Sequence, residues 1–138
     1  MQFPTTLRRG SYRPLIAVRL LAEDGRYILI DALIDTGADV SLFPQHLAEQ
    51  LGFDMSRPAD GTVSAAVGGE CEYRLRELTL ELRRFPEVIR WRAPVGFTDR
   101  AMSYGILGTR SFFEFFRLEY DARSGFVAIE PSGPRPTE

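Results

Sequence analysis

Apolar side chains in this chain recur at every second position, in short runs that glycine and proline interrupt. That two-residue period is the signature of strands with one buried face, and it limits the chain to a mostly-β architecture. From Tyr12 to Leu21 the residues Tyr12, Ile16, Val18 and Leu20 share one face, with Arg13 and Arg19 between them. Asp24-Gly25 supplies a tight hairpin turn. The return strand, Tyr27 to Ile34, is apolar on nearly both faces, which predicts a central, buried position. Pro44 to Leu51 reads as a short helix, with proline near its start and Gly52 after its end.

Thr62 to Leu82 reads as a second hairpin with Gly68-Gly69 at its tip, Val63, Ala65 and Val67 answering Cys71, Tyr73 and Leu75. The apolar phase then shifts to Leu78, Leu80 and Leu82, which predicts a bulge or bend near Arg76-Glu77. Glu87 to Val95 alternates again, and Pro94 marks an edge or a strand end. After Gly105-Ile106-Leu107-Gly108, the segment Thr109 to Glu114 is expected to form one or two helical turns. Strands follow at Phe116 to Tyr120 and Phe126 to Ile129. Strand, glycine turn and short helix occur at Ile30 to Leu51 and again at Val95 to Phe115, a faint internal echo. Many short strands with few helices predict a closed or nearly closed β-structure.

The 138 residues provide for one domain with a real core. Its 17 positive charges, all arginine, against 19 acidic side chains argue against a nucleic-acid partner, which needs a concentrated positive field. No apolar run is long enough to span a bilayer and the amino terminus carries no signal-peptide stretch, so a cytoplasmic protein without a membrane partner is expected. One cysteine (Cys71) and one histidine (His46) are too few for a disulfide framework, a Cys/His zinc site or a histidine metal cluster. No metal and no cofactor is expected. A serine triad lacks its elbow, since Ala101-Met102-Ser103-Tyr104-Gly105 has no leading glycine. Chemistry therefore falls to carboxylates, hydroxyls and backbone groups.

Asp35-Thr36-Gly37 stands where the apolar Tyr27 to Ile34 strand ends. A carboxylate there, beside a hydroxyl and a glycine that lets the backbone reverse, is a device for holding Asp35 rigidly at a cleft. The same letters also suit an ordinary turn. A calcium loop fails, because the third position is Gly37, the sixth is not glycine and the twelfth is His46.

With Asp35-Thr36-Gly37-Ala38-Asp39 after an apolar strand, Ala66-Val67-Gly68-Gly69 in a hairpin, Ile106-Leu107-Gly108 near the end and a short helix expected after it, the sequence resembles the retropepsin-like (retroviral-type) aspartic proteases from about Tyr12 to Ile129. The resemblance implies a closed acid-protease β-barrel with a flap hairpin and one or two short helices, active as a two-fold homodimer on a polypeptide substrate. It implies a protease domain over 12–130 after an N-terminal segment over residues 1–11, a candidate for the dimer interface; the proline-rich stretch 131–138 is itself expected to be a flexible tail. By position, Asp35 would be the catalytic carboxylate of an aspartic endopeptidase. Thr36 would bond across to the partner chain, Gly37 would contact substrate, and Ala38 and Asp39 would support the loop. Val67, Gly68, Gly69 and Glu70 would form the flap, and Ile106, Leu107 and Gly108 would pass beneath the catalytic loop. One Asp-Thr-Gly per chain, where the mechanism needs two carboxylates, calls for a second copy. The sequence departs from the family pattern after Gly108, where Thr109 replaces the arginine that pairs with the residue matching Asp39. Whether Arg110, Arg8 or Arg9 takes that place, or none does, stays open. A non-catalytic dimerisation and peptide-binding module on the same fold is the alternative.

Overall fold

The computed structural model describes residues 1–8, 11–64 and 69–133. The chain begins with three short strands, β1 (Gln2–Pro4), β2 (Thr6–Arg8) and β3 (Ser11–Arg13). β4 (Leu15–Leu21), β5 (Tyr27–Ile34) and β6 (Leu42–Pro44) lead into α1 (Gln45–Gln50), the one α-helix among the described residues. Then follow β7 (Gly61–Ser64), the long β8 (Glu70–Arg84) and β9 (Glu87–Thr98), and finally β10 (Gly105–Leu107), β11 (Phe116–Asp121) and β12 (Phe126–Pro131).

Six strands close a barrel in the order β4, β5, β10, β6, β9, β8. The ring shuts because β8 returns to β4 through the pairs Arg19↔Glu81, Leu20↔Leu80 and Leu21↔Thr79. Inside it Val18, Leu20, Leu78, Leu80, Leu82, Val95, Phe97 and Leu107 are buried almost completely. Each such aliphatic side chain contributes about 1.5–3 kcal/mol of burial, and their period-two spacing specifies the register of every ladder. β7 hangs from the free edge of β8, outside the ring. β11 and β12 form a hairpin that β1 joins, with Phe3 buried against the core.

Several expectations change. The Tyr12–Leu21 strand divides at Pro14 into β3 and β4. β5 has neighbours on both edges, as a central strand should, but only its inner face is buried. Tyr27 and Leu29 remain 52% and 57% exposed on the outer face, because a barrel has one interior and the other face of each strand looks out. The Arg19 guanidinium lies over the Tyr27 ring, 4.3 Å from its centroid, and shields part of that surface.

No bulge interrupts β8. Its ladder with β9 is continuous from Arg74↔Phe97 to Arg84↔Glu87. The apolar phase shifts because the surroundings change along an unbroken pleat. Near Cys71, β8 pairs with β7 above the cleft, and the odd-numbered face is covered. From Leu78 onward the even-numbered face meets the barrel core. Between the two, the Arg76 guanidinium stacks on Phe53 at 4.8 Å. β9 also runs past Pro94 to Thr98; β6 joins it only at Gly96, so Pro94 sits where the outer edge is still open.

Thr109 to Glu114 forms turns and no helix, so only one of the two possible helices exists among the described residues. Ser111 has φ +78°, which a right-handed helix excludes, and its side chain is buried in polar contacts. The internal echo is therefore partial: β5 pairs in parallel with β10 and β6 with β9, while the second half has no counterpart of α1. The terminal segments are tied to one another. The Met1 ammonium donates to the Ile129 carbonyl (3.1 Å), the Thr5 hydroxyl to the Gly125 carbonyl (2.8 Å) and the Ser132 N–H to the Phe115 carbonyl (2.8 Å).

Candidate active site

β5 ends at Ile34, level with the end of its neighbour β10, and the chain turns from Asp35. The Asp35 N–H donates to the Leu107 carbonyl (2.9 Å), the last rung of the β5–β10 pairing. The Asp35 carboxylate then accepts the Gly37 N–H at 2.9 Å, and the Ala38 N–H donates to the Asp35 carbonyl at 3.2 Å. One carboxylate oxygen is thereby fixed by backbone while the side chain stays partly exposed. A Cβ on Gly37 would stand 3.2 Å from that oxygen, so the glycine keeps the loop tight against it.

The second half of the loop is bound to the segment after β10. The Thr109 and Arg110 N–H groups donate to the Ala38 and Asp39 carbonyls at 2.8 and 3.0 Å. Gly108 lies so close that a Cβ there would sit 2.5 Å from the Ala38 carbonyl oxygen. Ile106 and Leu107 thus pair with Leu33 and Ile34, and Gly108 lies directly against Ala38. Ser41, which sequence reasoning missed, holds the junction from inside. Fully buried, it accepts hydrogen bonds from the Gly108 N–H (2.9 Å) and the Ser111 hydroxyl (2.6 Å) and donates to the Arg110 carbonyl (3.0 Å). A hydroxyl set within the apolar run Val40-Leu42-Phe43 was the only signal for it. The Trp91 indole N–H donates to the Ser111 carbonyl (2.6 Å), tying the same turn to β9. Phe112 and Phe116 pack around that indole, so the late phenylalanines build core and do not line the cleft.

Asp35, Gly37, Ala38 and Asp39 form the floor of a cleft of about 770 Å³. Val40, Leu42 and Ile106 line it beside them; Thr62, Val63, Ser64 and Cys71 of the β7–β8 hairpin roof it; Thr98, Arg100, Ala101 and Met102 form a wall. That wall carries no motif and went unread in the sequence. Thr36 does not line the cleft and is exposed. Gly69 has φ +85°, and Glu70, exposed, opens β8 opposite Ser64. Val67 and Gly68, the other two residues expected in the flap, lie outside the described residues. The base of this hairpin is pinned: Asp60 accepts the Leu75 N–H (2.6 Å) and the Arg57 guanidinium (3.1 Å). Those two contacts hold its carboxyl below the usual carboxylate range, the backbone bond most.

Arg110 meets Asp39 through backbone only. Among the described residues no ion pair involves Asp39, and Arg110 is exposed. The Arg8 side chain and Arg9 lie outside the described residues. His46 is a surface residue of α1. No group of histidine, cysteine and acidic side chains among the described residues could hold a metal ion.

The model of the family described as "Aspartyl protease" matches residues 24–110, most of the chain and all of the cleft floor. The chain belongs to the aspartyl protease family. Its fold is that of the retropepsin-like members. A retropepsin-like aspartic protease from Rickettsia conorii superposes with a TM-score of 0.61 over 94% of this chain and 98% of that one, at 17% identity. EIAV protease in complex with the inhibitor HBY-793 aligns over 75% of this chain and 88% of that one, with 18% identity and a TM-score of 0.43. No curated protein matches the chain. The flap hairpin and the barrel therefore belong to an aspartyl protease fold, with Asp35 on the floor of its cleft.

Proposed function

We propose that the chain is an aspartic endopeptidase that acts as a two-fold homodimer, with Asp35 of each copy forming the catalytic pair. The observation that carries this reading is the Asp35 carboxylate, fixed by the Gly37 N–H on the floor of a roofed cleft. In aspartic proteases as a class, two carboxylates share one proton. The ionised one activates a water, and the protonated one donates to the scissile carbonyl as the tetrahedral diol forms. One chain has a single Asp-Thr-Gly, and the exposure of Thr36 suits a residue that a second copy covers. An extended peptide then lies between floor and roof, with strand-like main-chain bonds to the hairpin and side chains against Val40, Leu42, Met102 and Ile106.

Two like charges a few Å apart resist joint ionisation, so activity is greatest in acid and falls as the pair loses its shared proton. Asp35→Asn should abolish cleavage of a diverse peptide library while circular dichroism and thermal melting stay those of the parent protein. Cleavage retained by that variant overturns the assignment. The absence of an ion pair at Asp39 among the described residues favours a second reading, a peptide-binding module of the same fold without turnover. Binding of library peptides with no acid-favoured, pepstatin-sensitive cleavage would select it.

A further inference from the structure

The cleft carries unequal charge. Two carboxylates, Asp35 and Asp39, stand on its floor, and Arg100 is the one cation among the described residues that line it. Arg100 rises from the wall that follows β9. Its N–H donates to the hydroxyl of Thr98 (3.3 Å), which is itself 1% exposed, so the base of the wall is anchored in the core. From there the side chain reaches toward the roof: its Nη1 is 4.0 Å from where a Cβ on Gly69 would stand. The guanidinium is therefore beside the path of any chain threaded between floor and hairpin, next to the apolar surface of Ala101 and Met102.

We propose that Arg100 forms a subsite for an acidic substrate side chain, so that the peptides this chain cuts carry Asp or Glu at a position displaced from the scissile bond. The proposal rests on the protease reading above and names its substrate class. A carboxylate near the floor meets the like charges of Asp35 and Asp39 and is disfavoured there. Along the wall it meets a planar fork of five N–H donors that matches its two oxygens, while Met102 covers its methylenes. Arg100 already engages another group in the chain, so the substrate carboxylate exchanges for an existing contact, and the gain is smaller than for a newly formed pair. In a two-fold dimer the subsite occurs twice, once on each side of the scissile bond.

The test uses the full chain and peptide pairs that differ by Glu or Gln at each position around one cleaved bond. At pH 5.5 and low salt the parent protein should cut one Glu peptide about 5- to 30-fold more efficiently, as kcat/KM, than its Gln twin. The ratio should fall toward one below about pH 4, where the substrate carboxyl is protonated, even though cleavage continues. Arg100→Gln should bring the ratio to about one at every pH, and Arg100→Glu should favour Lys at the same position. Because each result is a ratio between two peptides, a general loss of activity in a variant cancels. A parent protein that cuts peptides without acidic preference, or a preference that survives in Arg100→Gln, overturns the subsite. A parent protein that cuts no peptide at any pH overturns the protease reading itself, and the subsite with it.

Discussion

Gly108 and Ser41 show how little room a single residue has around Asp35. A Cβ on Gly108 would meet the Ala38 carbonyl oxygen at 2.5 Å, and that oxygen is backbone, so the loop itself must move. Gly108→Ala should lower kcat at least tenfold, since small misplacement of a reacting group is costly, and destabilise the fold by about 1–3 kcal/mol, measured by urea unfolding. Ser41→Ala removes the acceptor of a buried N–H and should cost about 1–3 kcal/mol in the same assay. Ser41→Thr keeps the hydroxyl and should recover part of that loss. Asp35, Gly37 and Gly108 were named from the sequence because the resemblance to the retropepsin-like proteases carries those residue types at those positions. Ser41 and Arg100 were not, because a hydroxyl and a guanidinium acquire their roles only from what folding places beside them.

Elements acquire meaning from their neighbours in the same way. The sequence of β8 shows a phase shift that a bulge would produce, yet the strand is unbroken and only its surroundings change between Cys71 and Leu78. Thr109 to Glu114 has helix-like spacing, but the buried Ser111 at positive φ serves the loop around Asp35 instead. The β7–β8 hairpin depends on Asp60 at its base, where the carboxylate holds the Leu75 N–H and the Arg57 guanidinium. Asp60→Ala should speed amide hydrogen exchange at Leu75 and raise KM several-fold with little change in kcat, if the hairpin only roofs the substrate. Unchanged exchange at Leu75 would show that the ladder alone holds the strand.

At the scale of the whole molecule, barrel closure and acid tolerance meet at Glu81. Its side chain is 1% exposed, where β8 joins both β4 and β9, and Arg19, Arg83 and Arg90 surround it. Burial raises its carboxyl, but hydrogen bonds and charge from Arg83 and Arg90 outweigh that and hold it below its ordinary value. The unfolded chain therefore takes up the proton first as pH falls. The stabilisation is fully present above the ordinary glutamate range near pH 4.3 and is lost as pH drops through the lower folded value. Glu81→Gln should reduce stability by about 1–3 kcal/mol at pH 7 and flatten its decline between about pH 5 and 3, read from unfolding midpoints across that range. The acid side of the activity profile would then be set partly by closure of the barrel. Assembly makes its own prediction: specific activity should fall on dilution through the dimer dissociation constant, and a constant value for a proven monomer would refute a site shared between copies.

By itself the sequence determined the β class, the boundaries of β5 and the candidate carboxylate, because period-two burial and a glycine turn after a strand are local physical demands. The family resemblance then supplied the barrel and the flap. Only the tertiary structure decided which face of each strand is inside, since that depends on how the ring closes. It alone joined Ser41 to Gly108, Arg100 to the cleft and Glu81 to its arginines, because the partners in each contact lie far apart along the chain and meet only when the barrel is complete.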